Sequence, residues 1–212
     1  MLALLHTSPA HVPVFDALRD EDHQGLELRH YVDEDLLARA RREGPEAVTD
    51  AVRDALREAV ADGARVVLCT CSTIGAVAES AGVGVGVPVL RGDRPMAAAA
   101  VAAGARVVVA ATLESTLRPT AALIEEEARR IGRSVTVRTL LVDGAWARFE
   151  SGDTEGCARL VADAVDAVRN ADAIVLAQGS MAGAQQLTTT PVPVLSSPRL
   201  GLGTGARAAR FG

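Results

Sequence analysis

Aromatic residues are scarce in this chain, since Phe, Trp and Tyr together make up 2% of its 212 residues. A stacking surface for nucleic-acid bases or sugar rings is therefore not expected, and the core and any pocket must consist mainly of Ala, Val and Leu side chains. Basic residues form no long run, and the formal net charge is −5. Nucleic acid is therefore not expected as a partner.

Long apolar runs and paired cysteines are also missing. The longest apolar candidate, residues 96–111, is interrupted by Gly104 and Arg106 and falls short of the ~20 residues that span a membrane. The N-terminus lacks the basic start of a signal peptide. The 3 cysteines form neither a disulfide framework nor a metal-ligand spacing, and the 4 histidines lack carboxylate partners at ligand spacing. We expect a cytoplasmic protein without a membrane or metal requirement.

The chain consists of two similar halves that alternate strands and helices. Apolar runs of strand length lie at residues 3–5, 66–68, 88–90, 106–110, 173–176 and 193–195. Thr7 and Thr112 are 105 positions apart, and so are Pro88 and Pro193. This repeat predicts a duplicated α/β fold with two pseudo-symmetric lobes, each a small parallel sheet flanked by helices.

Polar turns follow the predicted strands in both halves. They lie at residues 6–8, 71–73, 112–116 and 178–180. Ligands of parallel sheets bind beyond the carboxyl ends of the strands, and hydroxyls, amides and free N–H groups there suit a carboxylate. We expect lobes of residues 1–100 and 101–212, with a C-terminal helix that can cross over, and an active-site cleft between them.

Cys71 stands between a predicted strand, residues 66–68, and a helical pattern that begins near Ala76. A thiol at a helix N-terminus favours the thiolate, which can remove a proton next to a carboxylate or return one to a carbanion. The alternative interpretation is a small buried residue at a crowded turn. Cys157 lies in the middle of a predicted helix and is expected to pack in the core.

Two other titratable residues, His6 and Glu114, also follow predicted strands. Either is a candidate for a second acid or base, although a structural histidine and a solvated carboxylate are the simpler interpretations. The chain has no nucleophile elbow and no glycine-rich phosphate motif that leads from a strand into a helix. Hydrolase chemistry and nucleotide binding are therefore not expected.

Four features together resemble the aspartate/glutamate/hydantoin racemase superfamily. They are His6-Thr7 after the first strand, Thr70-Cys71-Ser72-Thr73 after the third, Ala111-Thr112 with Thr116 after the fifth, and Ala177-Gln178-Gly179-Ser180-Met181 after the seventh. The resemblance covers nearly the whole chain. It implies two α/β lobes with the site between them, no cofactor and a small carboxylic acid as substrate. A homo-oligomer is a further expectation from the resemblance.

The strand-end turns and the resemblance together give a set of site residues. Cys71 is the expected catalytic thiol. The expected substrate-binding residues are Thr7, Ser8, Ser72, Thr73, Thr112, Thr116, Gln178, Gly179 and Ser180. Superfamily members that racemise with two thiols place a second cysteine in the second lobe, where this chain has Gln178. A glutamine forms hydrogen bonds but does not exchange protons usefully at neutral pH.

Three hypotheses remain. In the first, Cys71 is the one catalytic cysteine of a racemase/isomerase-type enzyme or of a decarboxylase of malonate-like diacids. Gln178 and the hydroxyls then bind the carboxylate or stabilise an enediolate. In the second, a racemase uses Glu114, or His6 through a water, as its second acid or base. In the third, the chain is a carboxylate-binding module without turnover.

Overall fold

Two four-stranded sheets organise the chain, and the structure, a computed structural model, describes residues 1–211. The strands are Leu2–His6 (β1), Leu28–Val32 (β2), Val66–Cys69 (β3), Val89–Arg91 (β4), Arg106–Ala111 (β5), Thr136–Leu141 (β6), Ala173–Leu176 (β7) and Val194–Ser196 (β8). The helices are Val12–Asp22 (α1), Glu34–Glu43 (α2), Thr49–Ala61 (α3), Gly75–Ala81 (α4), Arg94–Ala103 (α5), Glu114–Arg130 (α6), Ala145–Glu150 (α7), Thr154–Asp166 (α8) and Ser197–Phe211 (α9).

Both sheets have the same topology. The strand order is β2-β1-β3-β4 in the first sheet and β6-β5-β7-β8 in the second, and every pair of neighbours is parallel. The predicted fold class, an α/β duplication with two small parallel sheets flanked by helices, is confirmed. In each sheet the chain first adds a strand on one side and then crosses to the other side. The change of direction lies between β1 and β3 in the first sheet and between β5 and β7 in the second.

The central strands are apolar because helices cover both of their faces. Every residue of β1, β3 and β7 is buried, and in β5 only Arg106 is exposed. The edge strands β2 and β6 are partly exposed and carry charged residues such as Arg29 and Arg138. Continuous apolar runs therefore mark strands that are buried on both faces, whereas mixed runs mark edges.

Helix boundaries follow ordinary capping chemistry. Asp33 caps α2 by accepting hydrogen bonds from the backbone N–H groups of Asp35 and Leu36. Gly44 ends the same helix with a φ of 96°, a conformation that glycine adopts at little steric cost. Within residues 1–211, no helix combines the length and the apolar character that a membrane span requires.

By contacts the chain divides into two compact units. The first comprises Met1–Asp93 and the segment that begins at Pro198, and the second comprises Arg94–Ser197. Helix α5 belongs to the second unit because it packs on α6 and on strands β7 and β8 of the second sheet. The C-terminal helix α9 crosses over to the first unit, where Leu202 joins a core with Leu2 and Leu68.

Two elements differ from what the sequence predicts. Proline is common at the first position of a helix, so the sequence predicts a helix that starts after Pro119, but α6 begins at Glu114. Pro119 lacks the N–H that would bond one turn back, but Thr116, Leu123 and Ile124 are buried along the helix and stabilise it across the proline. The turn expected after β7 continues as a 3₁₀ helix, Gly179–Gln186.

The packing of α9 gives a prediction with a matched pair of glycines. A Cβ on Gly201 would lie 2.5 Å from the carbonyl oxygen of Gly92, whereas a Cβ on Gly203 would meet its nearest atom at 3.7 Å. Gly201→Ala should therefore destabilise the fold by about 1–3 kcal/mol through overpacking. Gly203→Ala should stabilise it by up to ~1 kcal/mol through helix propensity.

Urea unfolding of both variants beside the natural chain measures these changes in free energy. Equal stabilisation by the two substitutions would show that α9 does not approach the loop after β4 as closely as described.

Candidate active site

The residues predicted for the site lie at the carboxyl ends of the central strands. His6 ends β1, and Cys71 follows β3 by two residues. Thr112 follows β5, and Gln178 follows β7 by two residues. In open parallel sheets, ligands bind where the direction of strand addition changes, and these strands flank that point in each sheet.

Backbone hydrogen bonds establish which residues are equivalent in the two sheets. The N–H of Thr70 donates to the carbonyl of Leu5 at 3.0 Å, and the N–H of Ala177 donates to the carbonyl of Ala110 at 2.9 Å. Thr70 and Ala177 are therefore equivalent. One residue further on, Gln178 occupies in the second unit the position that Cys71 occupies in the first.

Cys71 is a half-buried thiol just before a turn. Residues 72–74 form this turn and α4 begins at Gly75, so the thiol lies between the strand and the helix, as the sequence predicted. Arg91 packs where α4 begins, and a Cβ on Gly75 would lie 2.9 Å from the Arg91 Nε, so this position favours glycine. Arg91 itself is buried in a bidentate pair with Asp93, at 2.7 and 2.9 Å.

The other two thiols lie in the core. Cys69 is the last residue of β3, and Cys157 is in α8; both are buried. Burial raises the pKa of Cys69, and the neighbouring Cys71 raises it further. Burial also raises the pKa of Cys157, followed by the charge of Asp153. Both side chains are therefore held as neutral thiols, which leaves Cys71 as the most accessible of the three.

His6 belongs to a chain of polar side chains in the first unit. Its Nδ1 lies 2.8 Å from the Thr70 hydroxyl, and its Nε2 lies 2.9 Å from the Nδ1 of His30. The Nε2 of His30 lies 3.3 Å from an Asp16 carboxylate oxygen. The Thr70 hydroxyl is also 3.1 Å from the Leu5 carbonyl. The chain therefore links α1, β2 and β1 to the residue that precedes Cys71.

The surroundings of His6 favour its neutral form. The side chain is fully buried, and burial, followed by the charges of His30 and His11, lowers the pKa of His6 to about 3. A general acid or base must reach the substrate directly or through one water. An enclosed imidazole whose two nitrogens both face other side chains does not meet that condition, so the geometry favours the structural interpretation of His6.

The hydroxyl groups predicted for the first unit are mostly enclosed. Thr7, Ser72 and Thr73 are buried. Ser8 is half-buried and caps a short 3₁₀ helix, Pro9–His11, by accepting a hydrogen bond from the Ala10 N–H at 3.4 Å. Ser8 therefore has a local structural role, whereas Thr7 is the first residue after β1.

Gln178 is fixed by three hydrogen bonds within the second unit. Its Oε1 accepts from the Thr112 N–H at 2.7 Å, from the Thr112 hydroxyl at 3.0 Å and from the Leu113 N–H at 3.2 Å. Two backbone N–H groups can only donate, so the side-chain oxygen must face them. The orientation of the amide is thereby settled, and its NH₂ group points away from these donors.

The remaining predicted residues of the second unit are close in sequence to Thr112 or to Gln178. Thr112 and Thr116 are buried, and Glu114 is exposed in the first turn of α6, where a carboxylate interacts favourably with the helix N-terminus. Gly179 and Ser180 are half-buried and open the 3₁₀ helix. Glu114 thus has the solvated position that the simpler interpretation expected.

Comparison with known proteins identifies the family. The sequence profile of the Asp/Glu/Hydantoin racemase family matches residues 9–203. The chain belongs to this family. The resemblance that the strand-end motifs indicated is confirmed, and so is the prediction that the chain is an enzyme of this family.

Solved structures of racemases and of a decarboxylase share the fold of this family member. A glutamate racemase isoform from Bacillus anthracis aligns with a TM-score of 0.73 at 14% identity, over 96% of this chain and 79% of its own. The aspartate racemase of Picrophilus torridus gives a TM-score of 0.69 at 14% identity, over 99% and 94%.

A liganded arylmalonate decarboxylase variant, in which one glycine is replaced by cysteine and one cysteine by serine, gives a TM-score of 0.66 at 22% identity, over 100% and 93%. Compared with curated proteins, the chain has no significant match in sequence.

Sequence reasoning missed the polar chain behind Cys71. Asp16, His30 and Thr70 lie on three different elements, so no spacing along the sequence connects them. Leu113 was missed as well, because it contributes through its backbone N–H rather than its side chain. One usable signal existed: His30 is a polar residue within a run that otherwise predicts a strand.

His6 gives a prediction about stability and pH. Unfolded histidine has a pKa near 6.5, so between about pH 6.5 and pH 3 the unfolded chain binds a proton that folded His6 does not. The free energy of unfolding should therefore fall as the pH falls, by about 1.4 kcal/mol per pH unit from this residue. His6→Asn should remove that share of the slope.

Urea titrations between pH 7 and pH 4 measure the slope, with His23→Asn as the control outside the polar chain. An unchanged slope in His6→Asn would contradict a buried neutral His6.

Gln178 gives a second stability prediction. Gln178→Leu removes the acceptor of two backbone N–H groups and should cost about 1–3 kcal/mol of folding free energy. Gln178→Glu keeps an oxygen at the same place and should be tolerated far better. Denaturant unfolding of the two variants tests this, and equal loss in both would mean that the three hydrogen bonds to Gln178 do not stabilise the fold.

Proposed function

We propose that this family member is a cofactor-independent enzyme that transfers a proton at the carbon next to a carboxylate of a small acid. Cys71 is the single thiol that carries the proton. Gln178 donates hydrogen bonds to the carboxylate or to the enediolate that forms from it. One observation carries the proposal. Cys71 and Gln178 occupy equivalent positions in the two units, and the first is an accessible thiol whereas the second is held as a hydrogen-bond donor.

The three cysteines differ in what they can do. A thiol transfers protons only where substrate can reach it and where its charged form is accessible. Burial holds Cys69 and Cys157 as neutral thiols, whereas Cys71 is half-buried at a strand end. This supports Cys71 as the proton carrier.

The fixed orientation of the Gln178 amide supports its proposed role as a hydrogen-bond donor. Because the Gln178 oxygen is used by Thr112 and Leu113, the side chain offers only its N–H groups to a ligand. Such donors match carboxylate and enediolate oxygens, and fixed donors stabilise charge that develops during a reaction. They cannot deliver or remove a proton at neutral pH. The two-thiol racemase mechanism is therefore not available to this chain.

In this proposal the carboxylate is bound by uncharged groups rather than by Lys or Arg side chains. The strand-end turns, residues 6–8, 70–73, 111–116 and 177–180, contain no Lys or Arg. The Gln178 NH₂ group, hydroxyls such as that of Thr7, and backbone N–H groups therefore supply the hydrogen bonds. Their burial strengthens such bonds, because water competes less for the same donors.

One proton carrier fits two reactions. In a racemase/isomerase-type reaction the Cys71 thiolate removes the α-proton, the electron pair enters the enediolate, and a water must return a proton on the other face. In decarboxylation of a malonate-like diacid, the carbon–carbon bond breaks, carbon dioxide leaves, and the electron pair enters the enediolate. The Cys71 thiol then protonates the carbon, and the thiolate regains its proton from solvent. Decarboxylation needs a single proton carrier, which is what the site provides, so we include it as the second candidate.

Replacement of the thiol tests the proposal. Cys71→Ala should reduce turnover by about 10²-fold or more, the usual contribution of a positioned acid–base group, and should leave the fold intact. Cys157→Ala is the matched control, because its thiol is buried in α8, and it should retain activity.

Proton NMR in heavy water, with aspartate, glutamate, hydantoins, malonates and maleate as the panel, follows both α-proton exchange and loss of carbon dioxide. Full activity in Cys71→Ala would contradict the proposal. Absence of any reaction in the unmodified enzyme across the panel would instead support a binding module.

A further inference from the structure

With His6 neutral, the polar chain that leads to the residue before Cys71 has only two consistent patterns of hydrogen bonds. Asp16, as a carboxylate, can only accept, so the His30 Nε2 that faces it at 3.3 Å must carry a hydrogen. Whether the Nδ1 of His30 carries a hydrogen then decides the direction of the next two bonds. These are the 2.9 Å contact between His30 and His6 and the 2.8 Å contact between His6 and Thr70.

In the first pattern, His30 is neutral and its Nδ1 accepts. The Nε2 of His6 must then carry a hydrogen and donate to His30. The Nδ1 of His6 is left as an acceptor, so the Thr70 hydroxyl donates to it. All bonds run from Thr70 towards Asp16, and neither imidazole is charged.

In the second pattern, His30 has gained one proton and its Nδ1 donates. The Nε2 of His6 becomes an acceptor, and His6, which stays neutral, carries its hydrogen on Nδ1. That nitrogen donates to the Thr70 oxygen, and the Thr70 hydroxyl turns to the Leu5 carbonyl, 3.1 Å away. One added proton on His30 therefore reverses the bond between His30 and His6 and the bond between His6 and Thr70, whereas His30 donates to Asp16 in both patterns.

Other charged groups near the chain belong to α1 and to the segment before it. His11 lies with its ring centroid 6.2 Å from that of His6, and Phe15 covers another side at 5.3 Å. Arg19 pairs with Asp16 at 3.3 Å. His30 and Asp16 remain partly exposed, so protons can exchange with solvent at that end, whereas His6 is fully buried.

We infer that His6 and His30 are positioning residues, and that the protonation state of His30 sets the orientation of the Thr70 hydroxyl and with it the turn that carries Cys71. Thr70 is the covalent neighbour of Cys71, and both its N–H and its hydroxyl lie within hydrogen-bond distance of Leu5. When the Thr70 hydroxyl turns from His6 to the Leu5 carbonyl, the hydrogen bonds that hold Thr70 in place change, and Cys71 follows Thr70 directly. The inference rests on the proposed role of Cys71, but its test needs no substrate.

Nitrogen NMR of the histidine rings tests the two patterns directly. At pH 8.5 the unmodified protein should show both His6 and His30 as neutral rings with the hydrogen on Nε2. As the pH is lowered to 5.5, the appearance of a doubly protonated His30 should be accompanied by a change of His6 to the neutral ring with the hydrogen on Nδ1. A His6 ring that keeps one tautomer at both pH values overturns the inference.

Alkylation of Cys71 tests whether the chain reaches the thiol. The rate of reaction with iodoacetamide, followed by mass spectrometry of the peptide that contains Cys71, is measured from pH 5.5 to 8.5. His30→Asn keeps a hydrogen-bonding group near the Nδ1 position but cannot titrate. It should therefore remove one step from the pH profile and change the rate by about fivefold or more at one end, the lower limit of ordinary coupling between sites.

His23→Asn is the control, since His23 lies outside the chain, and it should keep the profile of the unmodified protein. The same profile in His30→Asn and the unmodified protein would overturn the inference. Because neither measurement involves turnover, loss of the proposed reaction and loss of this positioning role are distinguishable.

Discussion

Two backbone hydrogen bonds fix the ends of the central strands, from Thr70 to Leu5 in the first unit and from Ala177 to Ala110 in the second. They continue the parallel register of β1 with β3 and of β5 with β7 beyond the last strand residues. A slip of one residue would turn every side chain at these ends to the opposite face. The identity of the groups at the candidate site therefore depends on this register more than on any single side chain.

The two units place different chemistry at the same position. The first unit has a thiol there, and the second has an amide whose oxygen is fully used by Thr112 and Leu113. A thiol exchanges protons, whereas the amide can only donate hydrogen bonds. The duplicated fold therefore carries a thiol at this position in the first unit and a fixed hydrogen-bond donor in the second. The chemistry that we propose follows from that asymmetry.

Much of the fold could be predicted from the sequence, because fully buried strands such as β1 and β7 appear as continuous apolar runs and the halves repeat. The start of α6 could not be predicted, since Pro119 indicated a boundary and only the burial of Leu123 and Ile124 explains why the helix continues through it. Cys71 and Gln178 were found because they follow strands. Contacts between distant elements, such as those of His30, leave no periodic signal, and the orientation of an amide depends on donors that the sequence does not show.

For decarboxylation, the candidate reaction that needs only one proton carrier, stereochemistry tests the central claim most directly. An α-substituted malonate with two different groups on its central carbon would be incubated with the enzyme in heavy water, and the configuration of the deuterated product would be determined. The account predicts one deuterium at that carbon and a product of a single handedness, because only Cys71 delivers the proton. A product of both hands in equal amounts would contradict it, since protonation from both faces requires a second proton carrier or release of the enediolate into solution.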